Sequence, residues 1–331
     1  MGGAVVMQDV QTGAVVAYTA TGSPEDAPLG IKRYAVPGSV FKLALAALWW
    51  ENGLGDRRMP CPAYVQVTPN ARVRNFESHE YASLVVPREM LKVSCNTQAI
   101  MMALEMRDQL GADVFVDGWR RLGFVPYSSA EDQADPGPFW NTGNEAWARR
   151  MTPPPDRVRV KKRFDRFEWA QIAIGQGPVD VTPIGVSRFL QGIGNNGLML
   201  QPLIEQERLR DAPEGRQIMS PATAGKLMEA MRLVVDSGTA VSTRPQLTGL
   251  GGWDMGGKTG TADVRRGQRP DGWFAGLVFG PDGRARYTIV VYLQRAGKGG
   301  RAPAAIAAGM TRFMAEQARA DREHVALREA D

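Results

Sequence analysis

Strand-forming sequence lies at the two ends of this 331-residue chain, and that distribution limits its fold more than any other feature. Ala4 to Val10 and Ala14 to Tyr18 are β-rich runs separated by Gln11-Thr12-Gly13, which reads as a hairpin. Near the other end, Trp253 to Ala262, Trp273 to Phe279 and Ala285 to Leu293 are three further strand-like runs, the last two joined by the turn sequence Gly280-Pro281-Asp282-Gly283. Between the ends the apolar spacing is mostly helical. Helices are expected from Ser39 to Gly53, over Leu84 to Leu91, Thr97 to Leu110, Asp113 to Leu122, from Thr182-Pro183 to Ile193, and over Pro221 to Val235. Residues 54–82 read as irregular structure or short strands, and Tyr127 to Phe167, rich in Pro, Gly and charge, as a long surface excursion. A last helix, Ala302 to Arg322, has its apolar face at Ile306, Met310 and Phe313. The pattern predicts an α+β fold with one antiparallel sheet made from both termini. The sheet lobe is expected over 1–42 and 225–331 and a helical lobe over 43–224, with a functional cleft between them.

Composition excludes several function classes. With 44% hydrophobic and 23% charged residues the chain can build a sizeable core. Its net charge of +5 comes from scattered arginines rather than a basic block interleaved with aromatics, so no nucleic-acid partner is expected. The longest clean apolar run, Leu43 to Trp50, is far too short to cross a bilayer. Only two cysteines, Cys61 and Cys95, and two histidines, His79 and His324, are present, and their spacings offer no zinc cage. No metal and no cofactor are expected. His79, in a polar loop, and His324, in a charged helix, read as surface residues rather than the buried base of a Ser-His-Asp triad.

A nucleophile in this chain therefore needs another base. Pro37-Gly38-Ser39-Val40-Phe41-Lys42 supplies one, because a helix starting at Ser39 places the Ser39 hydroxyl and the Lys42 amine on one face, a turn apart. The same helix start aims unpaired backbone N–H groups at whatever lies in front of Ser39. Taken alone, Ser39 reads as an ordinary N-cap and Lys42 as a solvated cation, and only the rest of the chain changes that. Two more motifs follow in order: Ser94-Cys95-Asn96, between helical patterns, and Lys258-Thr259-Gly260 with Thr261, on an expected strand. These placements are the context a three-walled cleft requires. A rival pattern overlaps the third, since Gly252 to Thr259 satisfies the Gly-x4-Gly-Lys-Thr phosphate loop. A phosphate loop must open a helix, whereas Gly260-Thr261-Ala262 continues as strand, so the nucleotide reading is set aside.

With these three motifs in place, the chain resembles the transpeptidase domain of penicillin-binding proteins, over nearly its whole length. The opening hairpin, Pro37-Gly38 ahead of Ser39, Gly175-Gln176-Gly177 with Thr182-Pro183, Gly238-Thr239-Ala240, and Trp273-Phe274-Ala275-Gly276 carry the likeness, with Cys61-Pro62 and His79 resembling positions of some members. It is similar above all to the monofunctional class B group, with no transglycosylase domain. The resemblance implies the penicillin-binding-protein and β-lactamase-like fold and a D,D-transpeptidase acting on the D-Ala-D-Ala end of a peptidoglycan stem peptide. Ser39 would attack and Lys42 take its proton. Ser94 would relay that proton to the leaving amine while Asn96 holds the peptide amide. Lys258, Thr259 and Thr261 would bind the terminal carboxylate. Gly260 would let the strand approach the substrate, and the N–H groups of Ser39 and Thr261 would form the oxyanion hole.

β-Lactam antibiotics would acylate Ser39 by the same geometry. A D,D-carboxypeptidase or β-lactamase shares the fold and differs in the acyl acceptor; a β-lactam sensor or division scaffold is the non-catalytic alternative. The likeness further implies an extracytoplasmic location at the cell membrane. The anchor, the pedestal and contacts with a glycan polymerase and division or elongation proteins are expected outside this chain. Cys95, beside functional residues, is expected as a packed thiol unpaired with Cys61. The basic run Val264 to Arg269 reads as a solvated turn, and Trp140 and Trp147 as a cap on the helical lobe.

Overall fold

The computed structural model of the protein describes residues 2–22, 30–31, 33–127, 156–159, 165–203, 215–262, 267–297 and 300–330. Most of the long excursion, including Trp140 and Trp147, and residues 264–266 of the basic run lie outside the described residues; the described part of the excursion is not all surface, since Asp156 and Val158 are buried.

The chain opens with β1 (Gly3–Gln8) and β2 (Val15–Thr21), then a 3-10 turn at Gly38–Phe41 runs into α1 (Lys42–Glu51). Four short strands follow, β3 (Arg57–Cys61), β4 (Tyr64–Thr68), β5 (Ala71–Arg74) and β6 (Tyr81–Val86). Next come α2 (Arg88–Val93), α3 (Asn96–Leu110), α4 (Asp113–Leu122), β7 (Val125–Tyr127), β8 (Arg157–Arg159) and α5 (Arg166–Ala173). After β9 (Val179–Asp180), α6 (Pro183–Gly194), β10 (Leu198–Leu200), β11 (Gly215–Gln217) and α7 (Pro221–Ser237), the chain ends in β12 (Asp254–Ala262), β13 (Asp271–Phe279), β14 (Ala285–Leu293) and α8 (Arg301–Ala330).

The two termini do form one sheet. Its order is β12-β13-β14-β1-β2, antiparallel throughout, and the pairing of Gly3 with Leu293 joins the first strand to the last. Every residue of β13 is buried because both faces are covered, which is why it reads as a continuous apolar run. Alternate residues enter different cores: Trp273, Ala275, Leu277 and Phe279 pack with α1, α3 and α6, while Phe274 and Val278 pack with α8. Helix α1 is buried from Lys42 to Trp50, as an all-round apolar helix must be.

Two expectations need correction. The helix expected over Leu84 to Leu91 is divided: Leu84-Val85-Val86 pairs with β3, and the helix starts only at Arg88. Pro87 disfavours helical backbone at Val86, and the β-branched pair suits a strand. On α8 the buried face is not that of Ile306 and Phe313, which are 39% and 61% exposed. It is Ala304, Ala307, Ala308, Thr311 and Ala315, whose small side chains let the helix lie close against the sheet. Hydrophobic size pointed to the wrong face.

One buried carboxylate couples this fold to pH. Asp156 accepts from the Thr182 amide at 2.7 Å and the Thr182 hydroxyl at 3.2 Å, at the start of α6. Burial pushes its pKa up to about 6 against the opposing effects of Arg188 and Thr182. The folded state thus keeps a proton that the unfolded chain has already lost, so this contribution to stability is full at low pH and declines as pH rises from about 4 to about 6. Asp156→Asn abolishes that titration. Urea unfolding of parent and variant across this range should show their stability difference changing by about 3 kcal/mol, the parent losing ground as pH rises. A difference independent of pH contradicts the assignment.

Candidate active site

Ser39 sits on a backbone that only glycine neighbours permit. Gly38 has φ +54°, and a Cβ there would strike the Thr261 carbonyl; a Cβ on Gly175 would strike the Gly38 carbonyl in turn. The Gly38 amide donates to the Gly175 carbonyl at 2.9 Å. Three segments distant in sequence are thereby pressed backbone to backbone, with Trp273 Nε1 holding Val36 O at 3.0 Å just upstream. The expected α-helical start at Ser39 is a 3-10 turn, with α1 beginning at Lys42. The functional consequence is unchanged, because side chains at i and i+3 of a 3-10 turn lie above one another.

Lys42 is wholly buried, and its Nζ donates to Ser94 O at 2.8 Å, Asn96 Oδ1 at 2.7 Å and Ser94 Oγ at 3.3 Å. Lys258, equally buried on β12, donates from Nζ to Ser94 Oγ at 2.8 Å and to Thr259 O at 3.1 Å. Two amines therefore converge on one hydroxyl. Burial, and secondly the charge of Lys258, hold the Lys42 amine well below the usual lysine range, while burial brings Lys258 down to about 7. Ser94 closes α2 in the left-handed region, φ 60°, which turns its hydroxyl and carbonyl back toward Lys42. Asn96 then opens α3, its Nδ2 donating to Arg74 O at 3.1 Å.

The third wall is β12. Pairing of Lys258 with Ala275 and Thr261 with Gly272 keeps the motif in strand, so no helix opens where a phosphate loop would need one. Gly260 packs with no side chain against Pro37 O and Val40. The motif residues Ser39, Lys42, Ser94, Asn96, Lys258 and Thr259 thus come from the 3-10 turn and the start of α1, the α2–α3 junction and β12, with Gly260 and Thr261 in the same strand.

The cysteines differ from expectation. Cys61 and Cys95 form a disulfide, with Cα atoms 6.3 Å apart. The functional neighbours of Cys95 do not prevent this, because its side chain points away from the cleft toward β3 while Ser94 and Asn96 turn toward Lys42. His79 and His324 are exposed.

The sequence model of the penicillin binding protein transpeptidase domain matches residues 3–311. The chain belongs to that family. Among curated relatives it is 26% identical over 239 residues to penicillin-binding protein PbpB of Mycolicibacterium smegmatis, a match covering 68% of this chain. The chain spans about a third of that relative's length (33%). A peptidoglycan glycosyltransferase structure from Burkholderia ambifaria superposes with a TM-score of 0.72 at 21% identity, covering 97% of this chain and 90% of that one. Penicillin-binding protein A from M. tuberculosis, solved as a penicillin G acyl-enzyme complex, gives 0.70 at 19% identity, with 95% and 74% covered. The fold of this penicillin-binding transpeptidase domain is therefore the expected α+β one.

Within the domain, two quoted segments carry contacts that motif reading left without a role. Thr239 Oγ1 lies 2.6 Å from Thr259 Oγ1, fixing the rotamer of that hydroxyl. Gln176 Nε2 donates to Thr261 O at 3.3 Å, bracing the end of β12. Neither pairing has a local signature, since the partners are far apart in sequence.

Proposed function

We propose that this domain is a serine D,D-transpeptidase that cross-links peptidoglycan stem peptides through an acyl-enzyme on Ser39. The observation that carries the reading is the Ser94 hydroxyl held between two buried amines, one of which, Lys42, ends the turn that carries Ser39. A hydroxyl nucleophile needs a neutral base, and burial of Lys42 beside Lys258 favours its neutral form.

In the acylation step the Ser39 Oγ–C bond forms at the penultimate D-Ala carbonyl, and the Oγ proton passes to Lys42. Ser94 hands that proton to the nitrogen of the departing D-Ala as the C–N bond breaks. The backbone N–H groups of Ser39 and Thr261 receive the oxyanion, and a Cβ on the intervening Gly38 would lie 3.3 Å from Thr261 N, in keeping with their adjacency. Lys258 with the hydroxyls of Thr259 and Thr261 binds the terminal carboxylate. Asn96 holds the substrate amide. An acceptor-strand amine then attacks the ester, its proton retracing the path through Ser94 to Lys42 and Ser39. β-Lactams present an amide and a carboxylate in the same relation and acylate Ser39.

The division into a sheet lobe (1–42, 225–331) and a helical lobe (43–224), meeting at these residues, belongs to this reading. An extracytoplasmic location is supported by the disulfide. Among the described residues no helix is long and apolar enough to cross a membrane.

The test is product analysis with a donor peptide ending in D-Ala-D-Ala and an acceptor amine. Free D-Ala with an amide-linked dimer is the expected outcome. Hydrolysis alone would make the domain a carboxypeptidase, and penicillin turnover within seconds a β-lactamase.

A further inference from the structure

Asn75 lies at the end of β5, outside all three motifs, and is 7% exposed. Its carboxamide is fully used. Nδ2 donates to Pro62 O and His79 O, both at 2.8 Å, and Oδ1 accepts from Asn96 N at 2.8 Å and Thr97 N at 3.1 Å. The last two are the opening amides of α3, which have no partner within the helix. On one side the group also touches Cys61 Sγ and Thr97 Oγ1 at 3.2 Å. The chain after it turns through two left-handed residues, Glu77 and Ser78, to bring the His79 carbonyl back to Nδ2.

The neighbouring backbone finishes the arrangement. Arg74 O takes one hydrogen of Asn96 Nδ2, which sets the amide orientation so that Asn96 Oδ1 faces Lys42 Nζ. Residues 74 and 75 thus grip Asn96 by its main chain and its side chain at once. We propose that Asn75 is a positioning residue that sets Asn96, and through it Lys42, for acylation. It touches neither Ser39 nor the place of the substrate. This inference rests on the transpeptidase reading.

Asn75→Ala removes the grip, Asn75→Asp keeps the acceptor for the Asn96 and Thr97 amides while losing the donor to Pro62 O and His79 O, and Gln98→Ala is the structural control. Gln98, also buried on α3, ties the helix to β3 through Met59 O at 2.8 Å without touching Asn96. Acylation by a fluorescent penicillin is followed over a concentration series, separating the limiting rate from the affinity, with a thermal melt of each protein. Asn75→Ala should lower the limiting rate about 10- to 100-fold. Asn75→Asp, which still accepts from the Asn96 and Thr97 amides, should lose less of the limiting rate than Asn75→Ala at equal or lower melting temperature, and Gln98→Ala should stay within about threefold even where its melting temperature falls as far. Should Asn75→Ala not be recovered folded, Asn75→Ser takes its place with the same expectation. A parent-like limiting rate in Asn75→Ala, or in Asn75→Ser where that takes its place, or a loss shared by Gln98→Ala in step with stability, overturns the inference alone. A parent protein that takes no label overturns the transpeptidase reading, and this inference with it.

Discussion

Ser39→Ala is expected to take no covalent label from a fluorescent penicillin, and Lys42→Arg to label at least about 10³-fold more slowly than the parent. The first removes the only atom assigned to bond the acyl group. The second keeps a long nitrogen-bearing side chain in the buried site but substitutes a group that stays protonated, so it cannot accept the Ser39 proton. Gel labelling of the parent and both variants over time decides the matter. Parent-rate acylation by Lys42→Arg would leave Ser39 without its base. The pH profile offers a second handle. Lys42 is held well below the usual range by burial and by Lys258, which is itself brought down to about 7. Since neutral Lys42 and protonated Lys258 are the working forms, labelling should fall on the acid side as Lys42 takes up its proton, and fall again above about pH 7 as Lys258 loses the charge that meets the carboxylate. A rate that instead climbs steadily to pH 10 would mean that Lys42 titrates as an exposed lysine.

What could be read from the chain follows from how local each signal is. The strand runs at both ends declare themselves through β-branched residues and turns, and the pairing of β1 with β14 is then the natural way to give both ends neighbours. The three motifs were legible because each packs its chemistry into a few consecutive residues. Asn75 was not, because its role depends on Asn96, 21 residues away, and on carbonyls of Pro62 and His79 that carry no sequence signature. The face of α8 was misread for a different reason. Periodicity finds the largest apolar stripe, whereas the sheet selects the stripe that can approach closest, Ala304, Ala308, Thr311 and Ala315. The left-handed Ser94 likewise gives no warning, since serine rarely adopts that backbone and only the convergence of Lys42 and Lys258 on its hydroxyl explains it.

The Cys61–Cys95 disulfide is where the largest effect on stability is expected. It joins the end of β3 to the residue between Ser94 and Asn96, closing a separation of 34 residues. On a chain-entropy basis a loop of that length is worth about 4 kcal/mol. Cys61→Ser with Cys95→Ser should therefore lower the unfolding free energy by about that much in urea titration, and reductant should lower the parent toward the variant without affecting the variant itself. Acylation at a temperature well below both melting points should change far less than stability, because Asn96 keeps its partners in Arg74, Asn75 and Lys42 when the sulfurs part. This separates the two supports of the second motif: the disulfide restricts the unfolded chain, and Asn75 sets the geometry of the folded one. An intact mass that fails to gain two hydrogens on reduction would show that the parent carries thiols. Loss of acylation in the double variant at full stability would move the disulfide from scaffold to site.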